Sequence, residues 1–228
     1  MKISIIGTGN LGKSIAKGLI TNNAITSLYL TKRNLDEISE FEGYKNVFLT
    51  SDNIEAVKNT DILIFAVQPT HFENILSEVK SHLTEKHAII STITGFSIQK
   101  IEEKVGTDAF IIRAMPNTAI AVGKSMTCLC SNQQGEKRIK IAEAIFNRLG
   151  HSLTIPESQM QAATVVCASG IAFWMRLIRA TTQAAIQLGF DAKEAQELAM
   201  FTSEGAANLL IRSGNHPEEE IDRVTTPK

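Results

Sequence analysis

Up to about residue 155, the chain alternates between short apolar runs and longer segments whose apolar residues recur at helical spacing. Short apolar runs predict buried strands, and spacings of three and four residues predict helices that cover a sheet. The predicted strands are the run that holds Ile3, Ile5 and Ile6, then Ser27–Thr31, Val47–Thr50, Asp61–Val67, Ala88–Ile93, Phe110–Ala114, Met126–Cys130 and His151–Ile155. Helices are predicted after the first strand, from residues 51–53, and over 70–82, 97–105 and 134–149, with Thr70 and Glu73 as a capping box. This alternation predicts an α/β fold with a doubly wound, mostly parallel sheet.

The pattern changes at Pro156, after which the sequence predicts helices and no further strand. These helices are Glu157–Ser169, Gly170–Leu188 and a third that is capped by Asp191 and Glu194 and ends near Ser213. We therefore predict two domains, residues 1–155 and an all-helical domain of residues 156–228. Apolar residues cover more of the second helix than one core face needs, and about 70 residues of helix are few for a separate core. We expect dimerisation through this part, with burial against the first domain as the alternative.

Three glycines follow the first strand at the spacing Gly7-x-Gly9-x-x-Gly12. Gly7 permits a tight turn, Gly9 allows the backbone to approach a pyrophosphate, and Gly12 lets the next helix pack closely on the strand. The N–H groups at the start of that helix attract phosphate charge. Glycine-rich turns also occur without a ligand, but the strand before and the helix after favour a dinucleotide site in a Rossmann-type domain.

The residues after the second strand indicate which dinucleotide is preferred. Enzymes that prefer NAD usually carry an acidic residue there for the ribose 2′-OH, whereas this sequence has Lys32 and Arg33, and its first acid is Asp36. Arg can bind a 2′-phosphate through two hydrogen bonds and Lys adds a point charge. We predict NADPH, with NADH as the less favoured cofactor; a solvated basic loop is the alternative interpretation.

Two further segments end predicted parallel strands and should lie at the same edge of the sheet. The backbone of Ala66–Gln68 is expected to face the cofactor, and the Met115–Thr118 turn offers side chains that can bond a carboxamide or a substrate. His71 lies just past this edge, and we interpret it as a surface residue because no carboxylate is placed to orient it.

Composition excludes several classes of function. The formal net charge is −1 and the cations are dispersed, so neither a nucleic acid nor an anionic membrane is expected as partner. We expect no membrane span, because no apolar run approaches roughly 20 residues, and no signal peptide before the first strand, which makes the cytoplasm the expected location. Cys128, Cys130 and Cys167 form no CxxC motif, and we expect buried thiols rather than a disulfide framework or a metal site.

Motifs along the whole chain resemble the pyrroline-5-carboxylate reductase family. They are Gly7–Gly12, Ala66–Pro69, Ile90–Gly95, Arg113–Thr118, Glu157 with Met160, Ala168–Phe173, His216 with Pro217, and Val224–Pro227. Gln68, Ala119, Ile171 and Phe173 depart from the family pattern, which has Lys, Pro, Pro and Tyr there. The family's sequence continues with a Gly- and Thr-rich loop and a last helix, whereas this sequence stops at Lys228. A loop threonine that the resemblance places against the substrate is thus not in this sequence.

The resemblance implies that NADPH delivers a hydride to the iminium carbon of 1-pyrroline-5-carboxylate, giving L-proline in the last step of proline biosynthesis. It assigns Gly7, Thr8, Gly9, Asn10, Leu11 and Gly12 to the pyrophosphate loop, Lys32 and Arg33 to the 2′-phosphate, and Asn53, Ala66, Val67, Gln68 and Pro69 to the riboses. Met115 and Asn117 would border the nicotinamide, with Ser169 and Gly170 closing over the substrate carboxylate. Glu157 matches a family position near the proline site, although a carboxylate at a helix start also suits the helix dipole.

Two other functions stay open. A 3-hydroxyacid dehydrogenase would need an acid–base group in the helical domain, and residues 156–192 contain no Lys or His. A paralogue that binds NADPH without turnover is the alternative that is not an enzyme.

Overall fold

The computed structural model describes residues 1–23 and 25–225. They form an eight-stranded sheet in the order β3-β2-β1-β4-β5-β6-β7-β8. The strands are β1 (Lys2–Ile6), β2 (Ser27–Thr31), β3 (Val47–Thr50), β4 (Ile62–Phe65), β5 (Ala88–Ser91), β6 (Phe110–Met115), β7 (Ser125–Ser131) and β8 (Gly150–Thr154). Neighbours from β3 to β6 pair in parallel, β7 runs antiparallel to β6, and β8 is parallel to β7. The predicted fold class, a Rossmann-type and mostly parallel sheet followed by helices, is confirmed.

Helices connect the strands, and further helices follow the last strand. They are α1 (Asn10–Thr21), α2 (Asn53–Lys58), α3 (Pro69–Val79), α4 (Ile98–Val105), α5 (Ile139–Phe146), α6 (Met160–Ala163), α7 (Gly170–Gln187), α8 (Ala192–Ser213) and α9 (Pro217–Val224). One cluster of buried residues includes Ile15 and Phe146, and a second includes Phe72 and Ile101. The strands contribute to both clusters because their side chains alternate between the two faces. Their nearly continuous apolar sequences follow from burial on both sides.

Two helix starts differ from the prediction. The capping box of Thr70 and Glu73 is wrong, because Pro69 occupies the first turn of α3 and Gln68 is the N-cap residue, without a side-chain cap. The segment predicted as one helix over 134–149 begins as a 3₁₀ turn, Gly135–Arg138. A Cβ at Gly135 would lie 2.3 Å from the carbonyl oxygen of Ile111, so the turn packs directly on the backbone at the start of β6.

The chain divides into two compact units, Met1–Gly170 and Ile171–Lys228. Met160 and Ala163 belong to the core of the first unit, whose last residue is Gly170, and the domain boundary at residue 155 stays a prediction. A π-helix over Thr164–Ser169 directly precedes Gly170. The Glu157–Ser169 segment, predicted as one helix, is thus a succession of 3₁₀, α and π turns.

In the second unit the predicted capping box is present, since Asp191 accepts hydrogen bonds from the N–H groups of Lys193 and Glu194 and the Glu194 carboxylate accepts from the N–H of Asp191. Gly214 ends α8 with φ 68°, the left-handed conformation of a helix C-cap. The short helix α9 was not predicted. The Val224–Pro227 motif extends beyond the described residues.

The second unit exposes an unusual amount of apolar surface. Phe173, Trp174, Met175 and Leu177 on α7 are each more than half exposed. The helical stretch Glu157–Gln187 is also long and apolar enough to cross a membrane, with a mean hydropathy of 1.4 over its most apolar window. The expectation of no membrane span, which rests on the lack of a continuous apolar run of roughly 20 residues, stays a prediction. Length and composition alone do not distinguish a span from a helix that packs on another protein surface.

Candidate active site

A cleft of about 920 Å³ opens at the carboxyl edge of the sheet, where β1 and β4 lie side by side. From β1 the chain continues to β2, and from β4 to β5, and these two strands lie in opposite directions from the β1–β4 pair. Parallel α/β sheets bind ligands at such a switch point. The cleft is lined by Gly7, Thr8, Gly9, Thr31, Lys32, Arg33, Asn34, Glu37, Ser51, Asn53, Ala66, Val67, Gln68, His71, Asn74, Ile75 and Glu78. Nine of the predicted cofactor residues are in this lining: Gly7, Thr8, Gly9, Lys32, Arg33, Asn53, Ala66, Val67 and Gln68.

The three glycines have different structural roles. Gly7 has φ +89°, and a Cβ there would lie 2.2 Å from Cγ1 of Val67. A Cβ on Gly12 would lie 2.8 Å from the carbonyl oxygen of Gly7, so this glycine serves close packing of α1. A Cβ on Gly9 would meet no atom within 4 Å, because Gly9 borders the open cleft.

The start of α1 carries positive electrostatic potential. Gly9 is the N-cap residue and provides no side-chain cap, and the first turn contains no acidic residue. The first N–H groups of a helix lack intrahelical acceptors and carry its positive dipole end. The N–H groups of Thr8 and Gly9, in contrast, donate to the carbonyl oxygens of Thr31 and Gly7. Donors for a phosphate are therefore expected from the helix start rather than from the loop amides of residues 8 and 9.

A chain of hydrogen bonds connects three walls of the cleft. The N–H of Gly7 donates to Oγ1 of Thr31 (3.2 Å), and Thr31 donates to Oδ1 of Asn53 (2.8 Å). The amide group of Asn53 then donates to the Glu78 carboxylate (3.2 Å). This chain fixes the Asn53 side chain between β2 and α3.

The predicted 2′-phosphate residues lie at the end of β2 next to an acid. The Lys32 ammonium donates to the Glu37 carboxylate (2.7 Å) and to the carbonyl oxygen of Thr8 (3.3 Å). The hydrogen bond from Lys32, together with its positive charge, holds the pKa of Glu37 below its ordinary value. Arg33 is exposed and lines the same part of the cleft. The basic loop thus contains a carboxylate that the sequence analysis did not connect with it.

The other predicted site residues are not in the lining of this cleft: Asn10, Leu11, Gly12, Pro69, Met115, Asn117, Glu157, Ser169 and Gly170. Met115 is 5% exposed and belongs to the core. Asn117 uses its side chain within the protein, since its amide group donates to the carbonyl oxygen of Cys167 and its Oδ1 accepts from the N–H of Ala119. Ser169 is exposed and Gly170 is buried. Asn117 thereby ties the end of β6 to the π-helix that leads to Ser169.

Glu157 makes two short contacts through one carboxylate oxygen. Oε1 accepts from the guanidinium of Arg113 and from the N–H of Ile98, both at 2.7 Å. Arg113 lies on β6 and is 8% exposed, and Ile98 begins α4. The carboxylate therefore stabilises the positive end of α4 and neutralises a buried cation, which makes it a dipole partner of a neighbouring helix.

Several residues that line the cleft were not predicted from the sequence. His71, Asn74 and Glu78 lie on one face of α3 at spacings of three and four residues, and that periodicity could have placed them together. His71, interpreted as a surface residue, is exposed within the cleft. Glu37 lies in the 3₁₀ segment Leu35–Phe41, for which the sequence carried no clear signal.

The cysteines are free thiols in this structure. Burial is the main cause that raises the pKa of Cys128 to about 11, and its sulfur lies 3.9 Å from that of Cys167. Among residues 1–23 and 25–225, no group of three or more His, Cys, Asp or Glu side chains could hold a metal ion.

Comparison with known proteins assigns the chain to a family. Residues 157–228 match the family model for pyrroline-5-carboxylate reductase dimerisation, and residues 2–95 match that for NADP oxidoreductases that depend on coenzyme F420. Pyrroline-5-carboxylate reductase 2 of Dictyostelium discoideum is 38% identical, with 99% of this chain and 81% of the relative aligned. The chain belongs to the pyrroline-5-carboxylate reductase family.

Other relatives agree with this assignment. Pyrroline-5-carboxylate reductase 1 of Dictyostelium discoideum is 41% identical over 99% of this chain, which spans 43% of that relative's length. The reductase structure from Coxiella burnetii superposes with a TM-score of 0.93 at 30% identity and covers 99% of this chain and 85% of its own. The Plasmodium falciparum reductase, solved with NADP bound, has a TM-score of 0.86 at 26% identity, covering 100% of this chain and 85% of its own. The predicted family and the predicted class of enzyme, an oxidoreductase, are confirmed.

Proposed function

We propose that this chain is an NADPH-dependent reductase that converts 1-pyrroline-5-carboxylate to L-proline by hydride transfer to the iminium carbon. The observation that carries the proposal is that nearly the whole chain matches pyrroline-5-carboxylate reductases. With reductase 2 of Dictyostelium discoideum the identity is 38%, and the alignment covers 81% of that relative's length. The cleft at the β1–β4 switch point supports it independently, because its location suits a dinucleotide.

The residues of the cleft fit an NADP dinucleotide. The space that a side chain at position 9 would occupy is open, because Gly9 has none. The uncapped start of α1 provides positive potential beside this space. Lys32 and Arg33 stand at the end of β2, the usual location of the 2′-group of the adenosine ribose. Asn53 and the backbone of Ala66–Gln68 would hold the riboses, as the family resemblance implies.

When bound, the reduced nicotinamide supplies the hydride. A protonated cyclic imine already has an electrophilic carbon, so the protein has mainly to position two reactants and exclude water. This requirement agrees with the side chains of the cleft, which include no arrangement of nucleophile and base among the described residues. The Asn117 contact with Cys167 would hold the π-helix that leads to Ser169 and Gly170, which we propose to border the substrate carboxylate. Glu157 would act as a positioning residue through Arg113 and Ile98.

We also propose that the second unit forms a homodimer and that the enzyme is cytoplasmic. The family model over residues 157–228 is one of dimerisation, and the exposed apolar residues of α7 provide a surface that favours burial. The same helix carries Arg176 and Arg179, each of which would cost about 2.5–3.5 kcal/mol at the centre of a membrane-spanning helix. A partner helix is therefore a better environment than a bilayer.

The test uses the purified chain with NADPH and 1-pyrroline-5-carboxylate. We expect loss of the near-ultraviolet absorbance of the reduced nicotinamide together with stoichiometric formation of proline, measured by amino-acid analysis. Binding of NADPH without oxidation would favour the non-catalytic paralogue and contradict the proposal. Reduction of NADP⁺ by a 3-hydroxyacid, without imine reduction, would favour the dehydrogenase alternative.

A further inference from the structure

Glu37 lies at the part of the cleft where the adenosine ribose of the cofactor is expected. In the sequence it is six residues beyond Thr31, the last residue of β2. The 3₁₀ segment Leu35–Phe41 folds back, with Asn34 accepting a hydrogen bond from the N–H of Asp36 at its start. The Glu37 carboxylate thereby reaches the Lys32 ammonium at 2.7 Å and lines the cleft together with Thr8 and Arg33. One end of the cleft therefore contains both cations and a carboxylate.

These two kinds of group suit different cofactors. A 2′-phosphate is favoured by Lys32 and Arg33 and repelled by a neighbouring carboxylate. A ribose 2′-OH, in contrast, can donate a hydrogen bond to a carboxylate, which is the usual device of NAD-preferring enzymes. Glu37 also draws Lys32 into an ion pair next to the carbonyl oxygen of Thr8, so that a phosphate must compete for this cation.

We propose that Glu37 is a specificity-determining residue that weakens the preference for NADPH over NADH. Its carboxylate accepts a hydrogen bond from the 2′-OH of NADH. It weakens binding of the 2′-phosphate of NADPH by charge repulsion and by holding Lys32 in an ion pair. This inference rests on the proposed function only in taking the cleft as the dinucleotide site. The chain is then a reductase that uses both reduced nicotinamides, with Arg33 as the main cation for the 2′-phosphate.

The chain provides a matched control on the same segment. Glu40 lies three residues further along and pairs with Lys13 (2.9 Å) and Lys17 (2.6 Å), and it is not among the residues that line the cleft. Glu37→Gln and Glu40→Gln remove the same charge from the same 3₁₀ segment. A general effect of net charge on anion binding would change both variants alike, whereas a local effect of Glu37 would change only one.

The decisive experiment measures binding without catalysis. Calorimetric titration of the full chain with adenosine 2′,5′-bisphosphate and with 5′-AMP isolates the contribution of the 2′-phosphate. We expect Glu37→Gln to tighten binding of the bisphosphate by about five-fold, because Lys32 becomes free to pair with the 2′-phosphate and the repulsion disappears. The same variant should weaken binding of 5′-AMP by about three-fold, because a neutral amide is a poorer acceptor for the 2′-OH than a carboxylate. Glu40→Gln is expected to leave the ratio of the two dissociation constants within about two-fold of the unmodified chain.

A second readout is steady-state kinetics with NADPH and NADH at saturating imine. Glu37→Gln should raise the ratio of kcat/KM for NADPH to that for NADH by about ten-fold, mainly through the two KM values. Equal ratios in the unmodified chain and in Glu37→Gln, or equal changes in Glu37→Gln and Glu40→Gln, would overturn the inference while leaving the reductase intact. Binding of both nucleotides without imine reduction would instead contradict the proposed function.

Discussion

The first unit buries several of its phenylalanines completely, whereas the second unit exposes large aromatic side chains. In the first unit Phe65, Phe72 and Phe146 are fully buried, whereas in the second Trp174 is 68% exposed and Phe201 is 65% exposed. Burial of large apolar side chains is the main source of folding free energy. The first unit therefore has a core of its own, and the second has apolar surface that becomes stabilising only when another surface covers it. Four measurements test this contrast.

The largest effect is expected from removing a buried aromatic ring of the first unit. Phe72 stacks edge-on against both Phe65 and Phe96, with ring centroids 5.4 and 5.1 Å apart. Phe72→Ala should lower the free energy of unfolding by about 3–5 kcal/mol, which chemical denaturation measures. The control is Phe201→Ala in the second unit, measured at low protein concentration, where we expect less than about 1 kcal/mol. Similar losses in both variants would break the contrast.

The second test concerns the surface of α7. Trp174→Glu places a charge on the exposed apolar face in both copies of a dimer, and we expect the dimer dissociation constant to rise by at least about a hundred-fold. Analytical ultracentrifugation over a range of concentrations measures it. Tyr44→Glu is the matched control, because Tyr44 is 51% exposed but lies in the first unit. An unchanged dimer with Trp174→Glu would show that this part of α7 is not the interface.

A third test separates the fold from the cleft inside the first unit. Gly7→Ala should reduce stability by about 1–3 kcal/mol, because the new Cβ meets Val67 at 2.2 Å and φ is +89°. Gly9→Ala should leave stability within about 0.5 kcal/mol, since its Cβ enters open space, but should weaken NADPH binding by at least about ten-fold. Thermal unfolding and fluorescence titration measure the two effects. Equal stability of the two variants would contradict the assigned roles.

The smallest expected effect is a pH dependence that arises from His87 in the first unit. Its Nδ1 accepts from the N–H of Thr84 (2.8 Å), so Nε2 carries the hydrogen that is donated to the carbonyl oxygen of Val57 (3.1 Å). Burial lowers the pKa of His87 below the ordinary 6.5, and protonation of Nδ1 would break the contact with Thr84. As the pH falls below 6.5, the unfolded chain takes up a proton that the folded chain resists, so stability decreases.

Denaturation at a series of pH values measures this loss. His87→Gln should reduce the slope below the ordinary histidine pKa, because the folded chain then lacks the group that resists protonation. An unaltered slope in His87→Gln would assign the acid sensitivity to other groups.

Much of the first unit followed from the sequence because its signals are local. The strands are apolar runs of the right length, and the glycine fingerprint indicates its own position between strand and helix. Cap residues such as Asp52 and Asp191 marked helix starts because their side chains bond the next N–H groups. The start of α3 was predicted wrongly because Pro69 and Thr70 are both helix-start residues, and the proline takes precedence.

The lining of the cleft was harder to predict because it depends on contacts between distant residues. Nothing near Glu37 in the sequence reveals that a 3₁₀ segment returns it to Lys32, and Asn53 meets Glu78 only because α2 and α3 pack side by side. Likewise, Asn117 lies at the predicted sheet edge, yet its amide bonds to Cys167 far along the chain. Local patterns predicted which segments approach the cleft, and tertiary hydrogen bonds decide which side chains are available within it.

The hydrogen bonds that run from Gly7 through Thr31 and Asn53 to Glu78 have one further consequence. Because each of these donors already has an acceptor, we expect a nucleotide to lose little binding free energy in ordering these three side chains. We therefore expect the association rate of the nucleotide to depend mainly on diffusion and charge, and little on rearrangement of these side chains.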